Sequence, residues 1–143
     1  MSISAVFDIA GSAMTAQSLR LNTTASNMAN AQSAASSVDE VYRARHPVFA
    51  AVQQQAMENA LGSETSESAG VSVLGIVESD APLEKRFEPG HPMADDEGYV
   101  LYPNVNVVEE MTNMISASRG FQMNVEVMNS AKQMLQRVLT LGQ

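Results

Sequence analysis

The chain has 143 residues, 45% of them apolar, with no cysteine, no tryptophan, four Phe, three Tyr and ten Met. That is enough apolar material for one core, or one core with a small appendage, and the absence of cysteine excludes a disulfide framework, thiol catalysis and a Cys-based zinc site. The net charge of −8 excludes a nucleic-acid binder, which needs clustered Lys and Arg to neutralise phosphates.

The acidic excess is local. Ten acidic and two basic residues (Lys85, Arg86) fall between Glu58 and Glu97, and the remainder of the chain is balanced. The middle is therefore the part that expects water. The start lacks a secretory signal, since its first basic residue is Arg20 and Asp8, Ser12 and Thr15 interrupt its apolar residues. No apolar run approaches the roughly 18 residues a bilayer span needs.

Residues 1–31 read as a long helix of roughly 40 Å at about 1.5 Å per residue. Ile3, Phe7, Ala10, Met14, Gln17, Leu21, Thr24 and Met28 follow the alternating four-and-three spacing of a coiled-coil seam. From Ala5 to Asn30 only Asp8 and Arg20 are charged; the rest of that surface is Ser, Thr, Asn, Gln and Ala. A helix facing water normally carries Glu and Lys pairs, so this one is built to be surrounded by protein.

Residues 31–37 form a small polar linker. Residues 41–52, containing VYRARHPVF, fit a strand broken at Pro47. Residues 53–61 fit a helical turn or irregular chain, and 62–70 (GSETSESAG) a loop. Residues 71–78 (VSVLGIVE) read as a half-buried strand, with residues 83–87 as its pairing partner. Glu88 to Gly98 (EPGHPMADDEG) is a turn region, and Tyr99–Tyr102 a short strand ended by Pro103.

Asn104 or Asn106 caps a second long helix, with Glu109 and Glu110 near its positive end. Its seam runs through Val107, Met111, Met114, Ser118, Phe121, Val125, Met128, Lys132, Leu135 and Leu139. Lys132 conflicts with that seam and has to snorkel or pair. The stripe spans about 50 Å of helix, far longer than the middle segment covers. The expected fold is α+β: a terminal helix on each side (1–31 and 104–143), packing as a coiled-coil-like pair, around a small β-rich acidic middle (32–103).

Chemistry is thinly represented. His46 and His91 both precede Pro and lack the spacing of a helical metal pair or a third ligand. Asp95, Asp96 and Glu97 lack the alternating ligands of a calcium loop and read as a solvated turn. No serine sits in a nucleophile-elbow context, and the glycines form no phosphate-binding fingerprint. The residues point to no enzyme, no cofactor and no metal. Two classes remain: interaction helices that build a self-assembled tube, or a soluble helical-hairpin adaptor or export chaperone. The nearly uncharged first helix favours the tube.

Specific motifs sharpen this. FDIAGSAMTAQSLRLNTTASNMANA (Phe7 to Ala31) resembles the N-terminal motif shared by the axial proteins of the bacterial flagellum, the rod, hook and hook-associated subunits. PNVNVVEEMTNMISASRGFQMNVEVMNSAKQMLQRVLTLG (Pro103 to Gly142) resembles their C-terminal motif. EPGHPMADDEGYVLYPNVNVVEEM (Glu88 to Met111) and VYRARHPVF resemble the proximal rod members. Where hook and distal rod members carry a Gly-Tyr-Lys-type turn, this chain has SSVDEVYRARHP (Ser36 to Pro47), as the short proximal type does; residues 53–68 match no member.

The resemblance implies a structural subunit of the basal-body rod, the driveshaft that crosses the periplasm and transmits motor torque for motility. It implies delivery by the flagellar type III export apparatus without a cleaved signal peptide. It implies terminal helices that fold on assembly into a D0-type core of a helical tube, with the seam positions other than Lys132 as the interface. The implied partners are other copies, other proximal and distal rod proteins and the components joining the rod to the membrane ring, with no nucleic acid and no membrane insertion.

Overall fold

The computed structural model describes residues 3–53 and 68–141. The elements run α1 (Ile3–Asn30), β1 (Arg45–Gln53), β2 (Ser68–Glu78), β3 (Glu84–Phe87), β4 (Tyr99–Tyr102) and α2 (Val107–Leu141). The fold is α+β: two long helices with two two-stranded sheets, β1 with β2 and β3 with β4, between them in sequence.

α1 is free of Pro, and its polar residues bond to its own backbone instead of competing with it: Thr15 Oγ1 donates to the Gly11 carbonyl at 3.0 Å and Asn30 Nδ2 to that of Ser26 at 2.8 Å. α2 begins at a cap in which Asn106 Oδ1 accepts the Val108 N–H at 3.1 Å and the Glu109 N–H at 3.4 Å. Asn104, the other cap candidate, serves elsewhere. Its Oδ1 accepts the Ala44 N–H at 2.8 Å, and its Nδ2 donates to the carbonyls of Ser79 at 3.2 Å and Ala81 at 2.8 Å.

Three strand expectations change. Residues 84–87 pair antiparallel with β4, not with β2, in the register Glu84↔Tyr102 to Phe87↔Tyr99. The turn region explains it: Asp95 Oδ1 accepts the N–H groups of Glu97 and Tyr99, Gly98 takes φ +84°, and the chain folds back on itself. Pro47 lies within β1 instead of breaking it; a two-stranded sheet leaves β1 an open edge, where a missing N–H is tolerated. Ser68 to Gly70 belong to β2, not to a loop, while residues 54–67, which hold the rest of the expected helical turn and loop, lie outside the described residues.

The chain divides into two compact units. One comprises Arg20–Pro47 and Ile76–Ser116; the other comprises Met1–Leu19, Val48–Gly75 and Ala117–Gln143. The first has a mixed core: Val100 is fully buried and Val41, Ala44, Ala35 and Tyr102 nearly so, alongside Thr23, Thr24, Asn27 and Glu110. Ala35 bridges to Leu101, adding a third stretch of chain to the β3–β4 hairpin. Phe87 and Tyr99 meet edge-to-face at 5.3 Å, and the Arg86 guanidinium lies 4.5 Å above the Tyr102 ring. In the second unit the fully buried apolar residues among those described are all alanine: Ala10, Ala16, Ala117 and Ala131. There β2 crosses α1 closely. Gly70 takes φ +135°, its missing Cβ would lie 2.5 Å from Ser12 Oγ, and that hydroxyl accepts the Val71 N–H at 3.1 Å.

Candidate assembly surface

The helices approach through small and polar residues. In the unit of Arg20–Pro47 and Ile76–Ser116, Asn27 Nδ2 donates to Glu110 Oε2 at 3.1 Å and Arg20 Nη2 to Asn113 Oδ1 at 2.8 Å, so the stretches run antiparallel. In the other unit Gly120 lies against Gln17, where an added Cβ would come within 3.2 Å of the Gln17 amide. Glycine and alanine at such positions let backbones draw close, and they bury little apolar area in doing so.

On α2 the inward line therefore differs from the one apolarity marks. Met114, Phe121, Met128 and Leu135 are half-buried, as are Ser118 and Val125. The deepest positions are Glu110, Ala117 and Ala131, at 3, 0 and 2% exposure, with Asn124 half-buried between them. Each stands one residue before Met111, Ser118, Val125 or Lys132 of the expected seam. Lys132 is exposed, which removes its conflict, and Val107, Met111 and Leu139 are exposed as well. On α1, Ala10 and Thr24 are buried, and Phe7, Met14, Gln17, Leu21 and Met28 are half-buried; the side chain of Ile3 is outside the description.

The outward surface of α2 mixes polar residues with an apolar line. In the unit containing its second part, Met123, Val127, Met134 and Val138 are 66, 47, 57 and 62% exposed. Their four-seven-four spacing places them along one side of the helix. With Val6 of α1, Ser130, Ala131 and Glu126, three of them line a shallow apolar groove of about 330 Å³. β1 and β2 add Val48, Phe49, Val52, Val73 and Leu74, all more than a third exposed. In the other unit Val108, Met111 and Ile115 continue an apolar line on α2 at three-and-four spacing. Large apolar side chains exposed together, as along the Val6 groove, mark a candidate interaction surface.

Among the described residues no group of three or more His, Asp or Glu is placed to hold a metal ion. The acidic triplet is a turn whose Asp95 carboxylate is committed to backbone N–H groups. No described helix is long and apolar enough to cross a membrane.

Residues 7–32 match the family described as flagella basal body rod protein, and residues 96–141 the family described as flagellar basal body rod FlgEFG protein C-terminal. Over all 143 residues, and over the full length of the relative in each case, the chain is 50% identical to the flagellar basal-body rod protein FlgC of Escherichia coli O6:H1 and 48% identical to that of Salmonella typhimurium. It is 32% identical to the protein of the same name from Borreliella burgdorferi, covering all of this chain and 99% of the relative. The chain belongs to the FlgC family of flagellar basal-body rod proteins.

In this FlgC-family chain the two matched segments coincide with α1 and with β4 and α2, the elements that carry the small-residue contacts and most of the outward apolar line. Sequence reasoning placed Asn27 on a helix surface built to be covered by protein and Glu110 at the positive end of α2, but named neither as a contact residue. Their seven-residue spacing from Arg20 and Ala117, positions that share their helix faces, was a further signal.

Proposed function

We infer that this protein is a structural subunit of the flagellar basal-body rod, assembling with other rod components through the apolar surfaces of its terminal helices. The observation that carries the assembly mode is the exposed line Met123, Val127, Met134 and Val138 beside the Val6 groove: large hydrophobes left in solvent while alanines occupy the inside. A chain that functioned alone would bury the former. The all-alanine core of the same unit supports coupled folding and assembly, in which neighbours supply the burial that offsets the ordering entropy. Phe7, Met14, Leu21, Met111, Phe121 and Leu135 would each contribute about 1.5–3 kcal/mol on full burial.

Family membership supports a torque-transmitting structural role in motility. It also supports delivery by the flagellar type III export apparatus to a rod crossing the periplasm, next to the components that join rod and membrane ring. The test is complementation of a strain lacking the gene. The unsubstituted chain restores swimming; Leu21→Asp and Phe121→Asp are exported but assemble no rod. Normal swimming by either variant contradicts the assignment of the helix surfaces.

A further inference from the structure

The β3–β4 hairpin has two faces, and only one of them is complete. In its register Glu84 opposes Tyr102 and Arg86 opposes Val100, and these share one face; Lys85 opposes Leu101 and Phe87 opposes Tyr99, and these share the other. On the first face the hairpin supplies its own cation. The Arg86 guanidinium lies 4.5 Å from the centre of the Tyr102 ring and 3.0 Å from Glu84 Oε1. On the second face Phe87 and Tyr99 are 63 and 40% exposed, and among the described residues no cation lies over either ring. Their exposure is not looseness. The two rings meet edge-to-face at 5.3 Å, and a Cβ on Gly98 would come within 3.0 Å of the Phe87 ring and 3.2 Å of Pro89. Glycine there lets the Phe87 ring seat against the turn, and a ring held in place before binding loses little freedom on binding.

The surrounding charge selects what covers these rings. Residues 78–97 hold seven acidic residues and two basic ones. Asp96 and Glu97 stand in the turn that leads into Tyr99, and their carboxylates make no ion pair among the described residues. The basic residue of this face, Lys85, lies two positions from Phe87 along β3, so the aromatic pair is at the acidic end. The edge of β3 is four residues long, exposed throughout and carries Glu84, Lys85 and Arg86, a composition that discourages strand addition. An occupant therefore comes to the face and not to the edge.

We propose that the Phe87–Tyr99 face of the hairpin is a docking surface for an arginine presented by a second protein, one distinct from the partners of the helix surfaces. A guanidinium stacks flat on an aromatic ring while its N–H groups pair with carboxylates, which a compact, strongly hydrated ammonium does less well. Arg86 already has this arrangement with Tyr102 and Glu84 on the other face, supplied by the chain itself. The place of the partner in the basal body rests on the rod-subunit reading.

A photo-crosslinking residue in place of Lys85, which is exposed and shares the face, leaves both rings and both turn carboxylates intact. After ultraviolet irradiation of cells, basal bodies are purified and the crosslinked peptides identified by mass spectrometry. The chain is expected to be joined to one protein, through a peptide that contains an arginine. Asp96→Asn combined with Glu97→Gln removes two charges and no packing, and lowers the yield per incorporated chain by about fivefold or more. Phe87→Ala lowers it likewise, and Phe87→Tyr, which keeps the ring, does not. A trapped peptide without arginine, an adduct to carbohydrate or lipid, or no adduct from a chain present in basal bodies overturns the proposal. So does an undiminished yield in the Asp96 and Glu97 variant, or loss of that variant from basal bodies. Absence of the unsubstituted chain from basal bodies contradicts the rod-subunit reading itself, and the docking proposal falls with it.

Discussion

Met123→Asp separates assembly from folding. Met123 is 66% exposed and lines the groove beside Val6, so in the isolated chain the substitution removes little packing. Its cost there is set by helix propensity and stays below about 1 kcal/mol. In the assembled state the balance is different. Met123, Val127, Met134 and Val138 retain roughly half or more of their surface, and full burial of such a side chain is worth about 1.5–3 kcal/mol, so covering them contributes on the order of 4 kcal/mol per subunit. An aspartate in that surface loses its own share and adds a carboxylate desolvation penalty of several kcal/mol, which exceeds the gain from the other three. The expected outcome is normal expression and export, no swimming in soft agar, and no subunit in purified basal bodies. Met123→Leu, which keeps the apolar surface, swims. Wild-type motility of Met123→Asp with incorporation into basal bodies would refute the placement of a neighbour on this groove.

Three further outcomes follow from local geometry. Gly70→Ala combines a backbone at φ +135° with a Cβ placed 2.5 Å from Ser12 Oγ, so it costs about 2–4 kcal/mol in urea unfolding, more than Ser12→Ala alone. Asn104→Ala removes three hydrogen bonds joining the chain before β1, the β2–β3 connection and the approach to α2, and lowers stability by about 1–3 kcal/mol. Burial and the hydrogen bond donated to Glu88 raise the Tyr102 phenol above its ordinary value of 10.0. The fold therefore favours the protonated phenol; its contribution is complete below pH about 10 and is lost as pH rises through the raised value. Unfolding curves should show this alkaline loss in the parent and a shallower one in Tyr102→Phe.

The long elements were legible because their signals are long: α1 and α2 run within a few residues of the expected bounds, and the Asn106 cap and the Tyr99–Tyr102 strand stand where local residues place them. Pairing was less so. Residues 84–87 are a four-residue strand whose partner is chosen by the Asp95–Gly98 turn, and the turn residues were visible while their consequence was not. The inward line of α2 was legible at Met114, Ser118, Phe121, Val125, Met128 and Leu135, all half-buried, but not at its deepest positions. The rest of that line lies at Glu110, Ala117, Asn124 and Ala131, because close backbone approach selects small or hydrogen-bonded residues, and apolarity alone equates large hydrophobes with burial. Lys132 was the visible sign of that offset. Asn27 was hidden for the same reason, since its burial depends on partners contributed by three separate stretches of chain.

The central claim is that this chain is built into the basal-body rod through its terminal helices. Basal bodies purified from cells carrying a photo-crosslinking residue at Val127 test it most directly. The account predicts that the chain cofractionates with the rod and that ultraviolet light joins it there to another copy or another rod protein, whereas a probe at Lys85 on the β3–β4 hairpin does not trap the same partner. Intact rods lacking the chain, or a chain that crosslinks only to soluble proteins outside the basal body, would contradict it.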